Sequence, residues 1–211
     1  MRTIIGIVGY YGFVRGYPLG PELMERLRAL PWPSGVDIRE MNWGPVAIVQ
    51  DFQASDDKPE RVVLVGSLDR GLATGTVSCR RWVGGLLDVS VVQRRMFEAV
   101  TGVISLDNLL VIGAHFGVWP ASTFTVELQW PEAGISDLVL DEIESSRGTS
   151  QVIGERPLTP ENELVVQSLV ESIHRAALDI EPSNTLLTVE QLTPVAAIVH
   201  HRFYENSGLL Q

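Results

Sequence analysis

Residues 5–27 read IGIVGYYGFVRGYPLGPELMERL and combine an apolar run, a glycine- and tyrosine-rich loop and a helical pattern. The run Thr3–Val8 is almost continuously apolar, which is typical of a strand covered on both faces. Leu23 and Leu27 belong to an apolar repeat at three- and four-residue spacing, which predicts a helix over residues 21–30. A strand, a loop and a helix in this order are the first half of a βαβ unit.

The rest of the chain continues this alternation of strand and helix patterns. Thr159 and Pro160 have the residue types of an N-cap and a first helical position, which predicts a long helix after them. We therefore expect an α/β fold, namely a three-layer sandwich whose twisted, mostly parallel sheet is flanked by helices. The further predicted strands are Val36–Met41 and residues 46–52, 62–67, 77–82 and 124–128, the last of which is expected to be the final core strand, and the further predicted helices are residues 90–104 and Pro160–Leu178.

The domain organisation is predicted from the length of the chain and from the positions of its turn-forming residues. A chain of 211 residues can bury one core without disulfides, and we expect a single α/β domain over residues 1–178. Residues 179–211 are predicted to form a C-terminal extension with a short helix after Thr193. Residues 134–156 mix acids, serines and glycines and are predicted to be irregular.

The composition and charge of the chain restrict the kinds of molecule that it is expected to bind. The chain has 26 acidic and 16 basic residues and a formal charge of −10, which disfavours binding to nucleic acid. Its longest uncharged stretch, residues 108–126, is broken by glycines and a proline, so no membrane association is expected. Cys79 is the only cysteine, and a reducing, cytoplasmic location is the natural expectation. A small molecule or another protein is the expected partner.

Six segments together resemble one known family. They are, in chain order, IGIVGY, GPELMERL, VDIREMNWGP, VVLVGSLDRGLATGTV, VELQWPE and PLTPENELVVQSLVESI, and the resemblance that they carry extends over about residues 3–178. Their order and spacing resemble the hydrogenase maturation proteases, the endopeptidases that trim the C-terminus of nickel-iron hydrogenase large subunits. The resemblance implies a mostly parallel sheet between helices and a protein partner, either a hydrogenase large subunit or a related client.

The same resemblance implies three metal ligands that this chain lacks. In the family a glutamate ends the first loop, an aspartate ends the mid-chain strand and a histidine precedes the next helix. The corresponding positions here are Gly16, Gly66 and Val92, whose side chains cannot coordinate a metal. No cofactor is therefore expected, and nickel is expected only if the substrate carries it or if other residues rebuild the site.

Asp69, Glu40 and His115 are the candidates for a rebuilt metal or catalytic site. Carboxylate and imidazole groups suit borderline cations such as nickel. Each also has a simple structural interpretation. Asp69 can cap the loop that it begins, Glu40 can pair with Arg39 or a neighbouring strand, and His115 can be a packed or hydrogen-bonded histidine.

Aromatic residues near the first loop could form a protein-binding groove, because exposed aromatic side chains are good anchors for a protein tail. The alternative is that they cover the end of the sheet. Cys79 lies in a predicted strand, where burial is its usual fate. The proposed groove residues are Tyr10, Tyr11, Phe13, Tyr17 and Trp43.

Two functions from different classes fit these observations. One is a peptidase-like binding or assembly factor that acts in hydrogenase maturation without cleaving its client. The other is an endopeptidase that trims the large subunit through an altered site built from Asp69, Glu40 or His115.

Overall fold

The computed structural model describes residues 1–9, 14–100, 104–130 and 157–193, which form one sheet with helices on both faces. The strands are β1 (Thr3–Val8), β2 (Val36–Met41), β3 (Arg61–Leu68), β4 (Val77–Gly84), β5 (Ser122–Gln129) and β6 (Leu186–Thr188). The helices are α1 (Pro21–Ala29), α2 (Pro45–Ala54), α3 (Val89–Val100), α4 (Leu106–His115) and α5 (Pro160–Leu178).

The sheet has the strand order β2-β1-β3-β5-β4-β6. β2, β1, β3 and β5 are parallel to one another, β4 is antiparallel to β5, and β6 is parallel to β4. The carboxyl ends of β1, β2, β3 and β5 therefore meet at one edge of the sheet, called here the carboxyl edge. The predicted α/β fold with a mostly parallel sheet is confirmed.

Two hydrophobic layers enclose the sheet, and β1 shows how the sequence divides between them. Ile4 and Val8 pack on the side of α2, α3 and α4, whereas Ile5 and Ile7 pack on the side of α1 and α5. Successive side chains of a strand point to opposite faces. A strand between two helical layers must therefore be apolar at every position, as Thr3–Val8 almost is.

The first and last described helices agree with their predicted bounds. Pro21 begins α1 after Gly20, where its missing N–H costs no helical hydrogen bond. Thr159 caps α5 by accepting a hydrogen bond from the backbone N–H of Asn162 at 3.2 Å. The residues at the helix starts were therefore sufficient to predict both helices.

The predicted strand over residues 46–52 is wrong, because this segment belongs to α2. Pro45 occupies the first turn of the helix. Ile48, Val49 and Phe52 are the buried residues that follow, at the one- and three-residue steps of a helical face. The run reads VAIVQDF, with Gln50 and Asp51 on the exposed side, and its flanking proline marks a helix start more than a turn between strands.

The sheet continues beyond the segment that was predicted to be its last strand. β6 pairs with β4, and Leu187 and Leu192 join the core on the α2, α3 and α4 side. This part of the 179–211 segment is thus packed into the same core as the rest. The irregular segment 134–156 and the terminal helix predicted after Thr193 lie outside the described residues.

Candidate functional site

The carboxyl edge of the sheet carries a cluster of buried charges, centred on the residue that follows Asp69. The Arg70 side chain is 8% exposed, and it lies between the carboxylates of Asp107 and Glu127, which are 0% and 2% exposed. Asp107 lies in the first turn of α4 and Glu127 on β5. We call Arg70, Asp107, Glu127, Arg95 and Thr193 the Arg70 cluster.

Arg70 binds both carboxylates through two nitrogen–oxygen contacts each. Its Nη2 and Nη1 donate to Asp107 Oδ1 and Oδ2 at 2.7 and 3.0 Å. Its Nε and Nη2 donate to Glu127 Oε2 and Oε1 at 3.2 and 3.3 Å. Such two-point pairing suits the planar guanidinium and fixes its orientation.

The last described residue closes the cluster. The Thr193 N–H donates to Asp107 Oδ2 at 2.8 Å, and the Thr193 hydroxyl lies 3.3 Å from Arg70 Nη1. The buried Arg95 of α3 donates to the Thr193 carbonyl and, at 3.1 Å, to Asn108 Oδ1. The segment after β6 is thereby tied to α3, α4 and the loop after β3.

The guanidinium groups of the cluster respond differently to burial. Burial alone would lower the pKa of Arg70, but the hydrogen bonds and charges of Asp107 and Glu127 outweigh it and raise that pKa above its ordinary value. Burial lowers the pKa of Arg95, and the charges of Asp107 and Glu98 offset only part of the effect. Burial likewise raises the pKa of Glu98. Arg70 is thus the firmly held cation of the group.

The three positions at which the resemblance implies metal ligands, Gly16, Gly66 and Val92, do not fit a metal ion. A Cβ atom added at Gly66 would lie 3.3 Å from the Leu106 Cβ, so the space above this strand position is filled by an apolar side chain. Val92 is buried in the apolar core on the same side of the sheet. Gly16 has a φ of 76°, a conformation that favours glycine, and its carbonyl accepts a hydrogen bond from Asn162.

The three candidates for a rebuilt site lie apart. Asp69 follows β3 at the carboxyl edge, whereas Glu40 lies on β2, two strands away and therefore about 10 Å across the sheet. His115 is the last residue of α4. This helix begins at the carboxyl edge, where Asp69 lies, and runs about 15 Å toward the opposite edge of the sheet. No group of three or more histidine, cysteine or acidic residues able to hold a metal occurs among residues 1–9, 14–100, 104–130 and 157–193.

The partner of Asp69 is the one expected from the sequence, whereas those of Glu40 and His115 are not. Arg39 pairs with Asp37 and Asp51 instead of Glu40, and His115 is exposed instead of packed in the core. Asp69 Oδ1 accepts hydrogen bonds from the Gly71 N–H at 2.9 Å and from Gln129 Nε2 at 2.8 Å, and these bonds lower its pKa. Glu40 Oε1 accepts from Arg28 Nη2 at 3.3 Å. His115 is exposed, with its ring against Phe116.

The described residues of the proposed aromatic groove, Tyr17 and Trp43, do not line one groove together. Tyr17 is 0% exposed and meets Trp130 edge to face, so it belongs to the core and cannot line an open groove. Trp43 is 45% exposed and lines a cleft of about 500 Å³ together with Arg28, Arg39, Glu40 and Asp51. Tyr10, Tyr11 and Phe13 lie outside the described residues.

Cys79 has the environment of a structural cysteine. It lies on β4 and is partly buried. Burial raises the pKa of its thiol to about 11, so little thiolate exists near neutral pH. No helix in the described part of the chain is long and apolar enough to cross a membrane.

Sequence reasoning missed the Arg70 cluster, although two local signals were present. Ser105 caps α4 and places Asp107 in its first turn, where an acid is favourable. Glu127 interrupts the apolar run of β5, and a charge inside a buried strand requires a partner. The partner itself could not be read locally, because Arg70 is 37 and 57 residues away in the chain.

Comparison with known proteins finds similarity only among solved structures, since no protein-family model and no curated protein matches the chain. A hydrogenase 2 maturation peptidase from a Thaumarchaeota archaeon is 17% identical, with a TM-score of 0.43 over 86% of this chain and 100% of that one. The hydrogenase maturating endopeptidase HybD from E. coli is 17% identical, with a TM-score of 0.46 over 82% of this chain and 90% of that one. The NiFe hydrogenase maturation protease HycI from Thermococcus kodakarensis is also 17% identical, with a TM-score of 0.46 and coverages of 83% and 92%.

The names of these three proteins are those of the family that the sequence motifs resemble. At this level of likeness nothing about the activity of this chain follows from them, because one fold can carry many functions.

Proposed function

We propose that this chain is a hydrogenase maturation protease-like protein that binds a nickel-iron hydrogenase large subunit or a related client without cleaving it. Three observations support the proposal. Six sequence segments follow the order of that family, the fold is a mostly parallel sheet between helices, and solved structures of similar backbone carry hydrogenase maturation names. The role is that of a binding or assembly factor.

The main support for the non-cleaving role is that the buried carboxylates at the carboxyl edge are not free to bind a metal. Gly66 lies beneath Leu106 where the family has an acid, and the nearby carboxylates of Asp107 and Glu127 are already bound by Arg70. Ligands for a cation need free lone pairs that converge on one point. Here the lone pairs are engaged by the chain's own guanidinium, so nickel enters only as cargo of the client.

The competing function is endopeptidase activity through an altered site. Its best support is the position of Asp69 at the carboxyl edge, although the two hydrogen bonds that lower the pKa of this carboxylate also make it a weaker base. An ionised carboxylate can act as a general base. Glu40 and His115 lie too far from Asp69 to act with it on one peptide bond.

The experiment that separates the two functions uses a nickel-loaded precursor of a hydrogenase large subunit. After incubation with the purified chain, the C-terminal mass of the precursor is measured by mass spectrometry, and binding is measured by biolayer interferometry. We expect binding with an unchanged mass. Removal of a defined C-terminal peptide would refute the non-cleaving role, and absence of both binding and trimming would refute the proposed client.

The variant Asp69→Asn serves as the matched control. It keeps the shape of the side chain and one hydrogen-bonding oxygen but removes the charge. Under the binding role it leaves the affinity for the precursor unchanged, whereas under the endopeptidase role it abolishes trimming.

A further inference from the structure

The outer side of β2 is an open sheet edge with a defined pattern. β2 is the terminal strand of the sheet beside β1, and no other strand in the described residues pairs with its outer side. The Thr3 N–H donates to the Gly35 carbonyl, and the Gly9 N–H donates to the Met41 carbonyl. In a parallel ladder only alternate residues bond a given neighbour, so Gly35, Asp37, Arg39 and Met41 bond β1.

The backbone N–H and C=O groups of Ile38 and Glu40 and the C=O of Val36 consequently point away from the sheet, whereas the Val36 N–H donates to the Pro33 carbonyl at 3.3 Å. An open edge of this kind is a template for another strand. The occupant must be an extended segment that can bond alternate residues along six positions.

We propose that the occupant is the β2 strand of a second copy of this chain, paired antiparallel about a two-fold axis through Ile38. In this register Ile38 lies opposite its own symmetry mate and Val36 lies opposite Glu40 of the second copy. In this register the two Ile38 residues bond each other through N–H and C=O, and the Glu40 N–H of each copy donates to the Val36 carbonyl of the other, while the Val36 N–H keeps its bond to the Pro33 carbonyl. A register shifted by one residue would place inward-facing groups at the new ladder and bond nothing.

The side chains of the same register have complementary charges. Asp37 of one copy lies opposite Arg39 of the other, and the axis repeats the pair. Within one chain, Arg39 Nε lies 2.6 Å from Asp37 Oδ2 and its Nη1 lies 3.1 Å from Asp51 Oδ2. The guanidinium has five N–H donors, so it can also bind the second Asp37.

Two surface hollows flank β2, and the two-fold pairing covers both with one partner. The cleft that contains Trp43 lies at the carboxyl end of the strand, and a smaller hollow of about 370 Å³ around Gly35 lies at the amino end. Antiparallel pairing brings these ends together, with the half-exposed Trp43 beside the exposed Pro33–Gly35 turn of the second copy. Asp37 and Arg39 lie at equal distances on either side of Ile38, so two copies of β2 can pair their charges about this residue. Binding of an unrelated strand would not require this symmetry, and we therefore favour the second copy as the occupant.

The test is the mass of the full chain in solution, measured by light scattering and sedimentation equilibrium over a concentration series. One chain has a mass of 23.2 kDa, so the proposal predicts a species of about 46 kDa. Asp37→Arg alone, or Arg39→Asp alone, places like charges opposite each other at both symmetric positions. We expect each single variant to raise the dissociation constant at least about tenfold.

Complementation distinguishes loss of pairing from damage to the fold. An equimolar mixture of the Asp37→Arg and Arg39→Asp proteins restores opposite charges and is expected to form the 46 kDa species that neither forms alone. The double variant that exchanges the two charges also restores it. Arg26→Asp is the control, because Arg26 pairs with Glu163 of α5 and not with β2, and it leaves the mass unchanged.

Three outcomes overturn the proposal. The wild-type chain could remain at 23.2 kDa at all concentrations, which would show that the edge stays open or is covered by another segment of the same chain. The single variants could stay dimeric, which would place the interface elsewhere. The mixture could fail to associate, which would exclude this register. None of these results bears on whether a hydrogenase precursor is bound or trimmed.

Discussion

Arg70→Met lowers the free energy of unfolding by about 3–5 kcal/mol, because it leaves buried carboxylates without their cation. Methionine retains much of the volume of the arginine stem, so the change tests the charge more than the packing. Asp107 and Glu127 are 0% and 2% exposed and therefore cannot regain water in the folded state. Arg80 remains 3.5 Å from Glu127, which places the expected loss toward the lower end of the range.

The matched control is Arg28→Met. Arg28 pairs with one carboxylate, that of Glu40, through a single contact, and the two side chains are 59% and 35% exposed. Exposed pairs contribute about 0–1 kcal/mol because water and salt screen them. The same substitution at the two positions thus differs in cost by about 3 kcal/mol, and burial is the reason.

Urea unfolding followed by tryptophan fluorescence and far-UV circular dichroism measures both losses. With a slope of about 2 kcal/mol per molar urea, the Arg70 variant should lose about 2 M in midpoint and the Arg28 variant less than about 0.5 M. Equal midpoint shifts in the two variants would refute the reasoning, because they would show that the Arg70 cluster is no more protected from water than a surface pair.

Three further outcomes follow from single sites. Cys79 at pH 8 should react with iodoacetamide about 100-fold more slowly in the folded than in the unfolded chain, because its thiol pKa is raised to about 11 from an ordinary value of 9.0. The folded state holds this proton longer, so stability falls as the pH rises from about 9 to about 11, and Cys79→Ser should remove that dependence in unfolding midpoints measured across the range. Gly113→Ala should cost about 1–3 kcal/mol in urea unfolding and change the near-UV circular dichroism, since the new methyl group overlaps the Trp119 indole; an unchanged spectrum would argue against this packing. Thr159→Ala should lower the free energy of unfolding by about 1 kcal/mol through loss of the cap, whereas Thr159→Ser should keep most of it.

The sequence predicted those elements whose ends are marked by local chemistry. Prolines at first helical positions and a threonine cap set the starts of α1 and α5, and unbroken apolar runs identified β1 and β3. The prediction of a strand over residues 46–52 was wrong because a short, mostly apolar run such as VAIVQDF fits a strand and a helix equally well. The decisive local signal was Pro45, which is compatible with a first helical turn but removes a donor from a strand.

The candidate site could be predicted from the sequence only in part, because its contacts join residues that are far apart in the chain. The lack of ligand side chains at Gly16, Gly66 and Val92 is a property of residue identity and was visible in the sequence. The Arg70 cluster depends on contacts between residues 37 to 123 positions apart, which no local pattern encodes. Tyr17 was misplaced in the groove because its burial depends on Trp130, which arrives from the end of β5.

The Arg70 cluster also explains how this edge of the sheet can be stable without a bound ion. Two carboxylates buried side by side repel each other and would require a cation from solution or a proton. Here the cation is covalently part of the chain, so its association is intramolecular and needs no free ion. Thr193 adds hydrogen bonds to both Asp107 and Arg70, which makes residues after β6 contributors to the stability of the carboxyl edge. The carboxylates at this edge are therefore neutralised by residues of the chain itself, and the fold of this edge needs no cation from solution.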